Sequence, residues 1–168
     1  MARIEFVVAD LLAQDVDAIV NPANEHLAHG GGVAGLIARA AGPQLEEDSR
    51  SIGHCATGDA VVTRAGALPQ RAVIHAVGPA WSGGGAGEPE ALASAHRAVV
   101  SRAVEHGLAT VALPAISTGI FGYPLDRAAG VAVGAIARAL ASTPEVTLVR
   151  FCFLDEPSRV SYAAALPS

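Results

Sequence analysis

The sequence contains few of the residues on which several protein classes depend. Of its 168 residues, 4% are aromatic, 16% are charged and two are cysteines, Cys55 and Cys152. Two cysteines cannot form the dense disulfide framework of a small secreted module, and without a C-x-x-C pair they do not indicate zinc or redox chemistry. We therefore expect both thiols to be buried as small apolar side chains.

Basic residues and long apolar runs are also scarce. Lys and Arg together number 11, they are scattered along the chain, and the net charge is −5, which argues against a surface that binds DNA. Arg138 interrupts the most apolar stretch, so no run reaches the roughly 18 residues of a membrane span. Arg3 and Glu5 lie where a signal peptide would need uninterrupted apolar residues. We expect no membrane segment and a cytoplasmic location.

The 51% of hydrophobic residues are mainly Ala, Val, Leu and Ile, enough for one folded domain spanning residues 1–168. Several short apolar runs are continuous rather than alternating, which is typical of strands covered on both faces. The predicted strands are Ile4–Ala9, Val16–Val20, Ala60–Thr63, Ala72–Val77, Thr110–Pro114 and Thr147–Phe153.

The segments between these runs have the spacing of half-buried helices. Within Glu88–His106, one stripe consists of Leu92, Ala95, Val99 and Ala103. Helices are also predicted for Val33–Ala41, Gln44–Ile52 and Pro124–Leu140. Strands that alternate with helices predict an α/β fold with three layers, in which a mainly parallel sheet lies between helical layers.

Two glycine-rich turns, His29–Gly35 and Ser117–Gly122, each lie between a predicted strand and a helix. Glycine allows the main chain to approach a ligand closely, and helix N-termini offer unpaired N–H groups to anions. Either turn alone is an ordinary connection. Together they predict a site that grips a diphosphate from two sides without a cationic side chain.

Three polar residues follow predicted strands at the sheet edge where such folds bind ligands. Asn24 is expected to contact a ligand, whereas Asn21 is expected to bond local backbone. Asp10 either accepts a hydrogen bond from an exocyclic amine or only terminates its strand.

Other chemistries fit the sequence less well. Gly30, Gly32 and Gly35 match G-x-G-x-x-G, but nine residues separate them from the preceding strand, unlike a dinucleotide-binding fold. His26 and His29 lie three residues apart, yet no Cys or carboxylate cluster completes a metal site, so none is expected.

Five segments in order resemble the macrodomains, which bind ADP-ribose. They cover nearly the whole chain, and the last two are most similar to the MacroD-type branch, which removes ADP-ribose from acidic side chains and deacetylates O-acetyl-ADP-ribose. The segments are Val16–Asn24 (VDAIVNPAN), Gly30–Gly35 (GGGVAG), Thr57–Ala60 (TGDA), Val73–Pro79 (VIHAVGP) and Leu113–Pro124 (LPAISTGIFGYP).

The resemblance implies a three-layer α/β/α macrodomain with a mixed, mostly parallel sheet, and a role for each part of the cleft. Asp10 and Leu11 would bind adenine, with Phe153 nearby, and Asn24 and Phe121 would hold the distal ribose. The diphosphate would lie between two groups of residues: Gly31, Gly32 and Val33 on one side, and Ser117, Thr118, Gly119 and Ile120 on the other. Ala23 and Gly30 are also expected to bind the ligand.

The chain departs from the MacroD-type pattern at Ala34, where that branch has an Asp linked to activating water. The resemblance therefore implies two alternatives without a metal or cofactor. One is a hydrolase acting on mono-ADP-ribosylated proteins or O-acetyl-ADP-ribose, with Asn24 as the main catalytic group and a substrate phosphate helping to activate water. The other is a module that binds ADP-ribose unchanged. Glu25, His26 or His29 are candidates to replace the Asp.

Overall fold

The computed structural model describes residues 2–167, which form a six-stranded sheet, five α-helices and one 3₁₀ turn. The strands are β1 (Arg3–Val8), β2 (Ala18–Ala23), β3 (Ala60–Arg64), β4 (Ala72–Val77), β5 (Thr110–Leu113) and β6 (Leu148–Phe153). The helices are α1 (Gly32–Ala41), α2 (Pro43–Ile52), α3 (Glu88–Glu105), α4 (Leu125–Ala141) and α5 (Glu156–Ala164), and the 3₁₀ turn is Leu11–Ala13.

The sheet has the strand order β1-β6-β5-β2-β4-β3. Every neighbouring pair is parallel except β3 with β4, which is antiparallel. The prediction of a mixed, mostly parallel sheet is therefore confirmed. All six residues of β4 are buried, as expected of a strand covered by helices on both faces.

Two apolar cores separate the three layers. On one face α1 and α2 pack on the sheet through Ile37 and Leu45. On the other face α3, α4 and α5 pack through residues that include Val99, Ile136 and Tyr162. The predicted α3 stripe is confirmed, because Leu92, Ala95, Val99 and Ala103 are all fully buried.

The prediction missed one helix and shortened one strand. Helix α5 is short, and its start is set by Asp155, whose side chain accepts a hydrogen bond from Ser158 N–H at 2.8 Å. Strand β2 begins two residues later than predicted and continues to Ala23, where it pairs with Val77 of β4. This extension carries Asn21 into the sheet.

Candidate functional site

A cleft of about 710 Å³ opens at the carboxyl ends of the parallel strands. All fourteen predicted binding residues line it, although their contact with a ligand stays a prediction. They are Asp10, Leu11, Ala23, Asn24, Gly30, Gly31, Gly32, Val33, Ser117, Thr118, Gly119, Ile120, Phe121 and Phe153. The structure thus brings together side chains from both ends of the chain at one edge of the sheet.

The first glycine turn leads directly into α1. The first main-chain bond of the helix runs from Gly35 N–H to Gly31 C=O at 3.0 Å, so the N–H groups of Gly32, Val33 and Ala34 have no partner within the helix. Gly31 provides no side-chain cap. These groups, together with the positive end of the helix dipole, form a site suited to an anion.

The second turn forms the opposite wall and is closed by two short-range bonds. Tyr123 N–H donates to Ser117 C=O, and Gly122 N–H donates to Gly119 C=O, both at 2.9 Å. The main-chain N–H groups of residues 118–121 donate to no acceptor within residues 2–167. These N–H groups are therefore available to a ligand in the cleft.

Ser117 is held in a strained conformation at the start of this turn. Its φ is +70°, which is uncommon for a residue other than glycine. A Cβ at Gly78 would overlap Ser117 Oγ and Ile116 Cγ2, so only glycine at position 78 lets the turn pack this closely. The buried Ser117 hydroxyl has no hydrogen-bond partner within the described residues.

No Arg, Lys or His side chain lines the cleft within the described part of the chain. Its carboxylates are Asp10 and Asp155, which lie towards the end occupied by Phe153. Asp10 Oδ1 accepts a hydrogen bond from Leu12 N–H at 3.0 Å, and the bond from Ser158 N–H lowers the pKa of Asp155. Any anion held here must therefore be bound by main-chain N–H groups and neutral polar side chains, such as the Ser117 hydroxyl, rather than by a cation.

Asn24 lines the cleft and also fastens its own loop. Its Oδ1 accepts hydrogen bonds from His26 N–H and Ala28 N–H, both at 3.1 Å, and its Nδ2 donates to Ala28 C=O at 2.9 Å. These contacts fix the orientation of the amide at the cleft wall. Its predicted contact with a ligand stays a prediction.

The prediction that Asn21 bonds local backbone is wrong. Asn21 is fully buried in β2, and its Nδ2 lies 3.2 Å from His29 Nδ1 and 2.9 Å from His75 Nδ1. The other ring nitrogens contact Ser49 Oγ at 2.9 Å and Thr63 Oγ1 at 2.8 Å respectively. The network ties the start of the first glycine turn to the sheet.

The protons of this network have one consistent arrangement. Ser49 Oγ donates to Leu45 C=O, so it accepts from His29 Nε2–H, and His29 Nδ1 accepts from the Asn21 amide. Both rings are neutral, since burial lowers the pKa of His75 to about 3 and also lowers that of His29.

None of the three candidates to replace the missing Asp lines the cleft. Glu25 Oε2 accepts hydrogen bonds from Thr57 N–H at 3.2 Å and Thr57 Oγ1 at 3.0 Å, which lower the Glu25 pKa. His29 is held in the network with Asn21, and His26 is exposed. At the end formed by Asn24 and Ala34, the cleft therefore has no titratable side chain.

Residues 2–167 contain neither a cluster of metal ligands nor a helix that could span a membrane. In that part of the chain, no three His, Cys, Asp or Glu side chains are grouped so that they could hold a metal ion. No helix there is long and apolar enough to cross a membrane.

Known proteins resemble the chain over most of its length. The family model of the Macro domain matches residues 20–132. A macro domain-containing protein of Chlorobaculum tepidum is 46% identical over 163 residues, which cover 97% of this chain and 95% of the relative. A protein of an Enterobacter species named O-acetyl-ADP-ribose deacetylase is 46% identical over 168 residues, which cover 98% and 93%.

Solved structures of similar fold include proteins with nucleotides bound. The Oceanobacillus iheyensis macrodomain with ADP superposes with a TM-score of 0.88 at 32% identity, covering 96% of this chain and 87% of that one. The Trypanosoma brucei macrodomain in complex with ADP-ribose gives a TM-score of 0.89 at 32% identity, covering 96% and 68%. The length of the sequence match and the shared three-layer architecture agree: the chain belongs to the macro domain family.

Proposed function

We propose that this protein binds ADP-ribose and hydrolyses ester-linked ADP-ribose without a metal ion, acting on O-acetyl-ADP-ribose and on proteins mono-ADP-ribosylated at acidic side chains. The observation that carries the proposal is the pair of opposed glycine turns, whose unpaired main-chain N–H groups belong to residues that line a cleft without a cationic side chain. Relatives of similar length bear the name O-acetyl-ADP-ribose deacetylase, which supports the same chemistry.

Adenine binds at the end of the cleft that contains Asp10 and Phe153. An Asp10 oxygen accepts a hydrogen bond from the exocyclic amine, while the other oxygen keeps its bond to Leu12 N–H. The diphosphate then lies between the N-terminus of α1 and the turn at residues 118–121, where the helix dipole stabilises its charge.

The distal ribose lies between Asn24 and Phe121. Hydrolysis adds one water to the ester, so the products are ADP-ribose and the free carboxylic acid. Because no titratable side chain lies at this end of the cleft, a diphosphate oxygen of the substrate takes the proton from the attacking water, and Asn24 orients the reacting groups. General-base assistance typically contributes about 10²- to 10⁴-fold, so we expect turnover slower than in enzymes with an Asp at this position.

The experiment is to incubate the protein with O-acetyl-ADP-ribose, and separately with a Glu-linked ADP-ribosylated protein, while free ADP-ribose is measured over time. A chelator is present throughout. Release that exceeds the uncatalysed rate supports the proposal. Measurable binding with both substrates left intact would instead leave a binding module.

The alternative of a binding module is favoured by one observation. The methyl group of Ala34 lines the cleft and can neither hold nor activate a water. The substitution Ala34→Asp separates the two functions, because it adds a carboxylate beside the same binding surface. Faster turnover in this variant than in the wild type supports a cleft already aligned for hydrolysis. If neither the wild type nor Ala34→Asp hydrolyses the substrates, the binding module is supported.

A further inference from the structure

A second concavity of about 700 Å³ lies outside the ligand cleft, between α3 and α4. Its floor includes Ala93 of α3 and Gly130 of α4, and a Cβ added at Gly130 would meet no atom within 4 Å. Three arginines line it: Arg97, Arg127 and Arg138. We call the surface formed by these five residues and Trp81 the arginine groove.

The arginine groove presents cations without ion-pair partners on an acidic protein. Within residues 2–167, none of its three arginines forms an ion pair. They outnumber the two carboxylates that also line the concavity, Glu90 and Asp126. Asp126 already accepts a hydrogen bond from the Ser161 hydroxyl at 2.7 Å. A third carboxylate nearby, that of Glu88, is buried and already accepts three main-chain hydrogen bonds, whereas all three arginines are exposed. On a chain with a net charge of −5, these exposed arginines favour an acidic partner.

The aromatic end of the groove is firmly built. The Trp81 ring packs against Tyr123 with 4.7 Å between centroids, and the Arg127 guanidinium carbon lies 5.5 Å from the Trp81 centroid. The carboxylate of Glu88 accepts hydrogen bonds from the N–H groups of Ser82, Gly84 and Ala86 at 2.7 to 2.9 Å, which holds the loop after Trp81. A ring already packed in this way has little free face for stacking a nucleobase.

One short segment, residues 117–123, separates the groove from the ligand cleft. Ser117 and Phe121 line the cleft, whereas Tyr123 lines the groove side. Trp81 N–H donates to Phe121 C=O at 2.8 Å, so the head of the groove is bonded directly to the cleft wall. A chain attached to a ribose beside Phe121 would leave the cleft next to this groove.

We propose that the arginine groove docks the acidic polypeptide segment that flanks the modified Glu or Asp of an ADP-ribosylated protein. This inference rests on the proposed function, because the position of the segment follows from the ribose that it carries. Carboxylates on either side of the modified residue pair with Arg97 and Arg138, while the main chain lies over the small residues Ala93 and Gly130. Arg127 adds a third positive charge at the Trp81 end of the groove.

The test compares affinities for three probes. Two peptides of equal length carry ADP-ribose through a non-hydrolysable linker on a central residue, one with Glu and Asp flanks and one with Ser and Ala flanks. Free ADP-ribose is the third probe. We expect the acidic peptide to bind about tenfold more tightly than the neutral peptide at low salt, and this difference to shrink at high salt.

Two double variants, each replacing two arginines by glutamates, test the groove: one changes the groove itself and the other is the matched control. Arg97→Glu with Arg138→Glu should remove the preference for the acidic peptide and leave the affinity for free ADP-ribose unchanged. Arg39→Glu with Arg50→Glu changes the charge equally on α1 and α2, across the sheet, and should behave as the wild type. Trp81 is the only tryptophan, so its emission should change with the acidic peptide and not with free ADP-ribose.

The outcomes separate the two proposals. If free ADP-ribose binds and the two peptides bind equally, docking in the groove is overturned and the proposed function is not. If free ADP-ribose does not bind the wild-type protein, both fail. If the acidic peptide is preferred but ester substrates remain intact, docking stands and only hydrolysis is refuted.

Discussion

Asn24 has two tasks at the cleft wall, and single substitutions can separate them. Asn24→Ala removes the bonds to His26 and Ala28 together with the group that faces the ligand. Asn24→Asp keeps an oxygen for the two N–H donors, but it loses the amide donor to Ala28 C=O and adds a negative charge. If the amide orients the reacting groups, we expect both variants to lower kcat about 10²-fold and to lower kcat more than ADP-ribose affinity. Equal losses of kcat and affinity in Asn24→Asp, by calorimetry and turnover, would reduce the amide to a binding group.

Gly32 gives a direct test of the first glycine turn. Its φ is +58° and a Cβ there would meet no protein atom within 4 Å, so a side chain would cost only conformational strain, about 1 kcal/mol. Gly32→Glu places a carboxylate among the N–H groups and should abolish ADP-ribose binding by calorimetry while the protein stays folded. Gly32→Ala has the same strain and should retain most of the affinity. Unchanged affinity in Gly32→Glu would show that the ligand lies elsewhere.

The limits of prediction at single residues are clear from the two asparagines. The loop bonds of Asn24 connect residues within four positions, which local motifs can suggest. Asn21 instead bonds His75, 54 residues further along the chain, and nothing in the sequence near Asn21 indicates that partner. The glycine turns were predictable because their chemistry depends on main chain and on their place between a strand and a helix.

At the scale of elements, the glycine-rich loop between β4 and α3 is held by the side chain of Glu88. Three N–H donors, of which Gly84 contributes most, lower the pKa of Glu88 to about 2. Glu88→Gln weakens these bonds because an amide oxygen carries no charge. We expect a red shift of Trp81 emission and a lower melting temperature in Glu88→Gln. The control Glu90→Gln, two residues further along α3 and exposed, should change neither. An unchanged emission spectrum in Glu88→Gln would contradict this account.

Most elements were predictable because their apolar patterns are long or continuous. Helix α3 and strand β4 lie within one residue of their expected bounds. Helix α5 was missed because its nine residues begin with Glu156 and Pro157 and have only Tyr162 buried, a pattern too weak to recognise. Its omission mattered for the site, since Asp155 and Ser158 line the cleft.

At the scale of the whole molecule, two buried histidines should govern acid stability. Burial lowers the pKa of His75 to about 3 and of His96 to about 4, against a usual value near 6.5. The unfolded chain therefore binds more protons than the native protein as pH falls below 6.5. Stability is fully present above that pH and declines towards pH 4, by up to about 1.4 kcal/mol per pH unit for each histidine.

Denaturant unfolding at several pH values measures this slope. His96 Nδ1 donates to Leu92 C=O, and its Nε2 lies in the core without a partner among the described residues. His96→Leu keeps a similar volume and should make the slope between pH 6.5 and 4 shallower. His106→Gln, at an exposed position, should leave it unchanged, and identical slopes in all three proteins would refute the assignment.

Because the unpaired N–H donors of the two glycine turns belong to the peptide backbone, shortening side chains cannot remove them. Alanine scanning across residues 30–33 and 118–121 would consequently underestimate the importance of both segments. Harmful substitutions there should be those that add bulk or redirect the main chain. In a saturation mutagenesis library, smaller side chains should therefore be tolerated far better than larger ones. Among natural variants, the residues allowed in these two segments should accordingly be limited by the size of the side chain rather than by its polarity.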